Sequence, residues 1–294
     1  MQNLFGTLLI LLSALGFGSM ALCAGLASKE GVDTFSLLAL RFSIASVVLL
    51  CFSFGFKRSR SDQWPAGSAA KAYVLMGGIY AAMAWSYFSA LLYVPPSTVT
   101  LVLFSFPILV AVAAAALGLD RFGPPEWLAV AASSTGLILM IGGTLSGDMT
   151  GFGLAFLSAL CYTTYIILGS KIKSPASPIA ASCLVLGGAA VIFIGLALSH
   201  GVHLPKSATG WLAVLFLAVF STAVAIAAFV AGLKRVGPTL ASILSTLEPV
   251  VTIGLGMAFM GDKLQANSIA GGAFILSAAI GLTLARMRRA RTAG

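Results

Sequence analysis

Ten long apolar runs follow one another along this chain, at about residues 4–26, 34–56, 70–93, 97–118, 126–143, 150–170, 177–198, 211–232, 238–260 and 267–286. A helix that crosses hydrocarbon needs about 20 mainly apolar residues. Ten such runs use most of the 294 residues, so no separate soluble domain fits between them. The interruptions carry turn and boundary residues, among them Lys29-Glu30-Gly31, Pro95-Pro96, Gly123-Pro124-Pro125 and Gly237-Pro238. A chain surrounded by lipid must satisfy its backbone hydrogen bonds internally. The runs do not show the short alternation of a membrane barrel, which leaves an all-α integral membrane protein with ten transmembrane helices.

Composition excludes the soluble alternatives. Only 9% of the residues are charged and 59% are hydrophobic, against about 25% charged in an ordinary soluble domain. The formal charge of +9 is scattered in short clusters rather than pooled on one face, so orientation in the membrane explains it better than nucleic acid does. Cys23, Cys51, Cys161 and Cys183 lie inside apolar runs without metal-type spacing and read as small hydrophobes. Met1-Gln2-Asn3 has no basic segment before the first apolar run, which reads as a true first helix rather than a cleaved signal.

Basic residues set the expected orientation. With the N-terminus inside, the inner connections and the C-terminal end hold Lys57, Arg58, Arg60, Lys71, Arg121, Lys171, Lys173, Lys234, Arg235, Arg286, Arg288, Arg289 and Arg291. The outer ones hold Lys29, Lys206 and Lys263, and Arg41 falls within a span. This bias places both termini in the cytoplasm. A repeat runs through the same pattern. The segment from Ala90 to Pro96, with Pro107 beyond it, matches the segment from Gly232 to Pro238, with Pro249 beyond it, and the same offset carries Asp120 onto Asp262. The matched runs are fourth and ninth of ten, as an inverted five-plus-five duplication requires, with halves expected at 1–145 and 146–294. Inverted repeats with interrupted helices and a site at their interface are a usual build of secondary transporters.

Few residues in the spans carry chemistry. Glu248 is the acidic residue placed deep in a span, and a carboxylate there must be paired, protonated or turned toward a wet cavity. It is a candidate for binding a substrate ammonium or carrying a proton; tying a neighbouring helix is the alternative. Its counterpart under the repeat is Phe106. Arg41, about seven residues into the second span, is a candidate for gating, for recognising a substrate carboxylate or for anchoring at the interface. Pro107 and Pro249 are expected inside their helices as kinks that permit motion. Tyr80, Met83 and Tyr87 share one helical face with Trp85 displaced toward Phe88, and Tyr80 and Trp85 are candidate cavity residues. Tyr162 is a candidate beside them, whereas Tyr87 and Tyr165 fit an interfacial belt. Ser13 and Ser245 are candidate hydrogen-bond donors in small-residue stretches that close helix packing also explains. His200 and His203 lie near an outer helix end, away from any relay. Phosphate-loop, zinc-protease and nucleophile-elbow motifs are absent, so neither ATP-driven transport nor an enzyme is expected.

With Leu40-Arg41, the Ala90 to Pro107 segment, and its mate running through Glu248-Pro249 to Gly261-Asp262, the chain resembles the drug/metabolite transporter superfamily over nearly its whole length. It is most similar to EamA-type members, and among them to the YddG-type exporters of aromatic and other amino acids. The resemblance implies an inner-membrane secondary transporter that exports amino acids by alternating access, without ATP or cofactor. The implied cavity is formed largely by the first, third, fourth, sixth, eighth and ninth helices. Proton coupling through Glu248 is a further possibility, and Phe106-Pro107, which lacks the carboxylate of Glu248-Pro249, weakens transfer of a coupling mechanism from relatives. Export of cationic drugs or other metabolites is the first alternative; a non-transporting scaffold is the second. The expected partners are a small-molecule substrate and membrane lipid, with the chain a monomer or weak homodimer.

Overall fold

A computed structural model describes residues 2–55, 64–94, 96–119, 123–141, 148–174, 176–260 and 266–292. Asp120 and Asp262 lie outside these described residues, as does the expected boundary between halves at 145 and 146. The described chain is helical, with no β-strand: α1 (Gln2–Gly18), α2 (Met20–Lys29), α3 (Thr34–Gly55), α4 (Gly67–Ala90), α5 (Pro96–Leu103), α6 (Phe106–Ala116), α7 (Pro124–Ile141), α8 (Met149–Lys171), α9 (Pro178–His200), α10 (Ala208–Ala218), a π-helical turn (Val219–Val224), α11 (Ala225–Ser245), α12 (Glu248–Met260) and α13 (Ala266–Thr292). Six stretches among them are long and apolar enough to cross a membrane: Leu4–Lys29, Thr34–Phe54, Thr98–Ala116, Met149–Lys171, Pro178–His200 and Ala208–Ser245. The last is two helices joined at a kink, because Gly237 adopts φ 80° ahead of Pro238. Glycine alone tolerates that backbone cheaply, and proline then starts a new helix without needing its missing N–H. Glu248–Phe259 and Ile269–Ala285 are shorter apolar helices.

The outer surface is as apolar as the core. Phe54, Leu92, Leu128, Val191, Leu198 and Phe259 all point outward, an arrangement that only a lipid surround makes stable. Between helices the seams are made by small residues. On α4, a Cβ at Gly77 would run into the Val185 carbonyl of α9, while one at Gly188 of α9 would stand 2.9 Å from the Val74 carbonyl. Gly16 and Gly232 bring α1 against α11 in the same way. Helix starts at the polar ends are capped by side chains: Asp148 accepts from Thr150 N at 2.6 Å, Ser177 from Ala180 N and Ser207 from Gly210 N.

One such cap joins two loops. Asp33 accepts from Phe35 N and Ser36 N at the start of α3, and its other oxygen meets His203 Nδ1 at 3.2 Å. Burial raises the Asp33 pKa, but its hydrogen bonds to Ser36, Phe35 and His203 outweigh that and hold the carboxyl below the ordinary range. A carboxylate depressed on folding stabilises above its unfolded pKa and loses that contribution as pH falls through the folded value. The stability difference between wild type and Asp33→Asn is therefore expected to be largest above about pH 4 and to shrink below it. Thermal unfolding in detergent across that range measures it; a difference independent of pH contradicts this account of the cap.

Candidate functional site

Four helix interruptions shape the centre of the bundle. α1 stops at Gly18 and α2 restarts at Met20. α5 ends at Leu103 and α6 begins at Phe106; α11 ends at Ser245 and α12 begins at Glu248. These two breaks stand at the same offset, 248 minus 106 and 245 minus 103 both being 142. The fourth is the π-helical turn at Val219–Val224. Hydroxyls tie the breaks together. Ser19 Oγ donates to Gly16 O at 2.7 Å or shares its proton with Ser221 Oγ, also at 2.7 Å. Thr252 Oγ1 donates to Gly18 O at 2.9 Å, linking the start of α12 to the end of α1. Breaks free backbone carbonyls in the membrane interior, and side-chain hydroxyls re-satisfy them there.

A cavity of ≈ 520 Å³ opens among these breaks, in the half of the bundle toward the α2–α3 and α4–α5 turns. Tyr80, Met83, Ala84, Tyr87, Phe88 and Leu91 of α4 form one wall at helical spacing. Phe17, Met20 and Ala24 face it from α1 and α2, Arg41 from α3, Thr100, Leu103 and Phe104 from the α5 region, and Tyr162 from α8. Glu248, Pro249, Thr252 and Ile253 close it from α12. Tyr80 and Tyr162 belong at once to the cavity wall and to an aromatic layer behind it, where Tyr80, Tyr162, Tyr165 and Phe229 have contacting ring centroids 5.3–6.3 Å apart and Phe106 meets Tyr162 edge-on at 4.6 Å. The volume suits a small organic molecule.

Two charges stand in this mostly apolar wall. Glu248 begins α12, where the helix dipole favours a carboxylate. Its Oε1 is buried with no hydrogen-bond donor, and no basic side chain pairs with it among the described residues. The hydroxyls of Tyr80, Tyr87 and Tyr162 lie within its electrostatic reach. Arg41 is only 3% exposed. Its Nε donates to Thr222 Oγ1 of the π-helical turn at 2.7 Å and its Nη1 meets Met20 Sδ at 3.0 Å, while Nη2 has no partner. A carboxyl group and a guanidinium without a counter-ion among the described residues are uncommon in a membrane span and mark the cavity they line as the candidate site.

The sequence expectations meet this geometry unevenly. Tyr80, Tyr162, Glu248, Arg41 and Pro249 line one cavity. Trp85 does not: it is 43% exposed on the outward side of α4, because five residues place it far around the helix from Tyr80. Tyr87 and Tyr165 are not belt residues; Tyr87 lines the cavity with its hydroxyl 3.5 Å from Thr100 Oγ1, and Tyr165 is 2% exposed in the packed layer. Ser13 is buried one turn before Phe17 with an unpartnered hydroxyl, and Ser245 donates to Ala241 O at 3.0 Å beside Tyr162; neither is in the cavity wall. Pro107 and Pro249 each follow a short break whose linking residues keep right-handed helical angles, Ser105 at φ −71° and ψ −14° and Thr246 at φ −65° and ψ −5°, and each is the second residue of the segment beyond it. The second membrane run, through Arg41, contributes to the wall; residues of α10 and α11 do not. The π-helical turn had no sequence signal beyond the Ser221-Thr222 pair.

An apolar exterior, helices broken at mid-bundle and a charged cavity between them define a membrane protein of the transporter kind. The chain belongs to the EamA-like transporter family, whose model matches residues 4–142 and again 149–284. It is 32% identical over 143 residues to the uncharacterized inner membrane transporter YedA of Escherichia coli (strain K12), a match covering 48% of this chain and 46% of that protein, less than half its length. It is 25% identical over 258 residues to the threonine/homoserine exporter RhtA of Salmonella typhimurium (strain LT2), covering 84% of this chain and 80% of that one. A solved crystal structure shares its fold with a TM-score of 0.82, at 22% identity, over 96% of this chain and 98% of the other. These relatives support the family and not the YddG-type likeness expected from the sequence.

Proposed function

We propose that the chain is an inner-membrane secondary transporter that exports amino acids by alternating access, with Glu248 as the site for the substrate ammonium. The observation that carries the reading is the half-buried Glu248 carboxyl group, without a basic partner among the described residues, at the start of a helix segment and lining an aromatic cavity, its Oε1 enclosed with no donor. Similarity to an exporter of threonine and homoserine supports the substrate class. In this reading ten membrane-crossing units fall into two inverted halves, 1–145 and 146–294. α1 with α2, α5 with α6, α10 with α11 up to Gly237, and Pro238 onward with α12 each count as one unit, and both termini lie in the cytoplasm. The matched breaks before Phe106 and Glu248 and the two family matches support the duplication. No ATP, metal or cofactor takes part; a proton is the natural competitor for the Glu248 carboxylate, so export coupled to proton entry is part of the proposal.

A carboxylate among aromatic faces also suits an organic cation, but Arg41 in the same wall opposes one. Counterflow in proteoliposomes loaded with threonine, phenylalanine or tetraethylammonium separates the two. Exchange of labelled amino acid above empty-vesicle background is expected; exchange of tetraethylammonium alone replaces the amino-acid reading with the cation one. An imposed pH gradient is expected to drive labelled amino acid uphill, and failure to do so at full exchange activity removes the proton from the proposal.

A further inference from the structure

We propose that Arg41 is the second anchor of the cavity, taking the carboxylate of a substrate whose ammonium is held at Glu248, so that the site selects the zwitterion of a free amino acid. This rests on the amino-acid reading above and adds the requirement for an unblocked carboxylate. A guanidinium keeps its proton in any protein environment, so burial leaves Arg41 charged and in need of acceptors. It has one good one. Thr222 sits in the π-helical turn and donates its own proton to Leu217 O at 2.8 Å, which fixes its hydroxyl oxygen as the acceptor for Arg41 Nε. With Nε held there, the rest of the guanidinium is left with the Met20 thioether sulfur at Nη1, an unpartnered Nη2 and the neighbouring Tyr80 hydroxyl, a neutral group that a carboxylate outcompetes. Sulfur is a weak acceptor that a carboxylate oxygen displaces easily.

Arg41 is one of the side chains that line the cavity containing Glu248, and Nη2 lies enclosed just behind that wall without a hydrogen-bond partner. The two charges form no ion pair with each other, and Tyr80 lies within the electrostatic reach of both. The cavity therefore offers a planar two-donor fork on one side and a carboxylate on the other, with Met83, Tyr87, Phe88 and Leu103 available to a side chain. A fork of this shape matches a carboxylate through two parallel hydrogen bonds, which a point charge does not reproduce. Thr222 is a positioning residue: it touches no substrate and sets which edge of Arg41 is presented.

The test uses the intact protein in proteoliposomes exchanging labelled phenylalanine and threonine, with unlabelled competitors. The methyl ester and the decarboxylated amine of each amino acid keep its side chain and ammonium but lack the carboxylate. They are expected to inhibit about 10- to 100-fold more weakly than the parent amino acid, the span of a charge-assisted hydrogen-bond pair. In Thr222→Val the preference for the free amino acid over its ester narrows while inhibition by the ester stays unchanged, and in Arg41→Lys, which keeps the charge and loses the fork, it narrows too. A Thr222→Val variant that weakens all competitors equally overturns the positioning role. Esters and amines that compete as well as the amino acids in the wild type overturn the Arg41 assignment and leave amino-acid exchange standing. Absence of exchange of either amino acid overturns both readings.

Discussion

Replacing Glu248 by Gln is expected to lower amino-acid exchange by about 10- to 100-fold, the loss of one charge-assisted hydrogen bond from a site that has no other acid. The substitution keeps the shape and the hydrogen-bonding tip, so folding should survive it. In wild type the Oε1 atom has no protein donor, so the neutral amide breaks no ion pair among the described residues. Stability is therefore expected to stay level or rise, which separates this residue from a structural ion-pair partner. Glu248→Asp tests reach, since it retracts the carboxylate by one methylene from the Tyr80, Tyr87 and Tyr162 side. Exchange and thermal stability measured on the same purified samples decide the matter. Full exchange by Glu248→Gln contradicts the ammonium role, and a large fall in stability points to a structural one.

The second large effect lies away from the cavity, at Gly77. Its Cα faces the α9 backbone so closely that a methyl group meets the Val185 carbonyl, with Gly188 Cα 3.1 Å away. Backbone on both sides of the seam cannot step aside as a flexible side chain does. Even Gly77→Ala is expected to cost about 1–3 kcal/mol, the usual range for overpacking, and Gly77→Leu to prevent accumulation of folded protein. The control is one residue away: at Gly78 the nearest atom is Ile192 Cδ1 at 4.0 Å, so Gly78→Ala should be tolerated. Size-exclusion profiles and melting temperatures in detergent compare the three. Because α4 carries the Tyr80 to Leu91 wall, a Gly77→Ala protein that folds is also expected to exchange substrate poorly; normal stability for Gly77→Leu contradicts the close seam.

The sequence disclosed the features that composition and punctuation control. Apolar runs marked the helices because lipid admits little else, and Gly237-Pro238 marked the kink inside the stretch from Ala208 to Ser245 because the pair punctuates helices. Glu248 stood out because acids are rare in spans, and the repeat placed a matched break before Phe106. What stayed hidden depends on rotation and on other chains of contact. Trp85 differs from Tyr87 by two residues, which turns one toward lipid and the other into the cavity; an aromatic residue alone does not tell which. Pro107 and Pro249 signalled irregular helices, but not where the irregularity falls, which is in the turn before each proline, at Phe104-Ser105 and Thr246-Leu247. The π-helical turn escaped because its cause is tertiary: Thr222 is held between Leu217 O and Arg41, 181 residues away. Arg41 itself was visible; its placement on the same wall as Glu248 was not.

Whether this cavity is a path rather than a pocket is tested by access from each side. In a background with Cys23, Cys51, Cys161 and Cys183 replaced, a single Met83→Cys puts a thiol on the α4 wall. Labelling by a membrane-impermeant thiol reagent is then followed in right-side-out and inside-out vesicles, with and without threonine or phenylalanine. Alternating access predicts labelling from both sides and protection by the transported amino acid from both. Labelling from one side only, indifferent to amino acid, contradicts it.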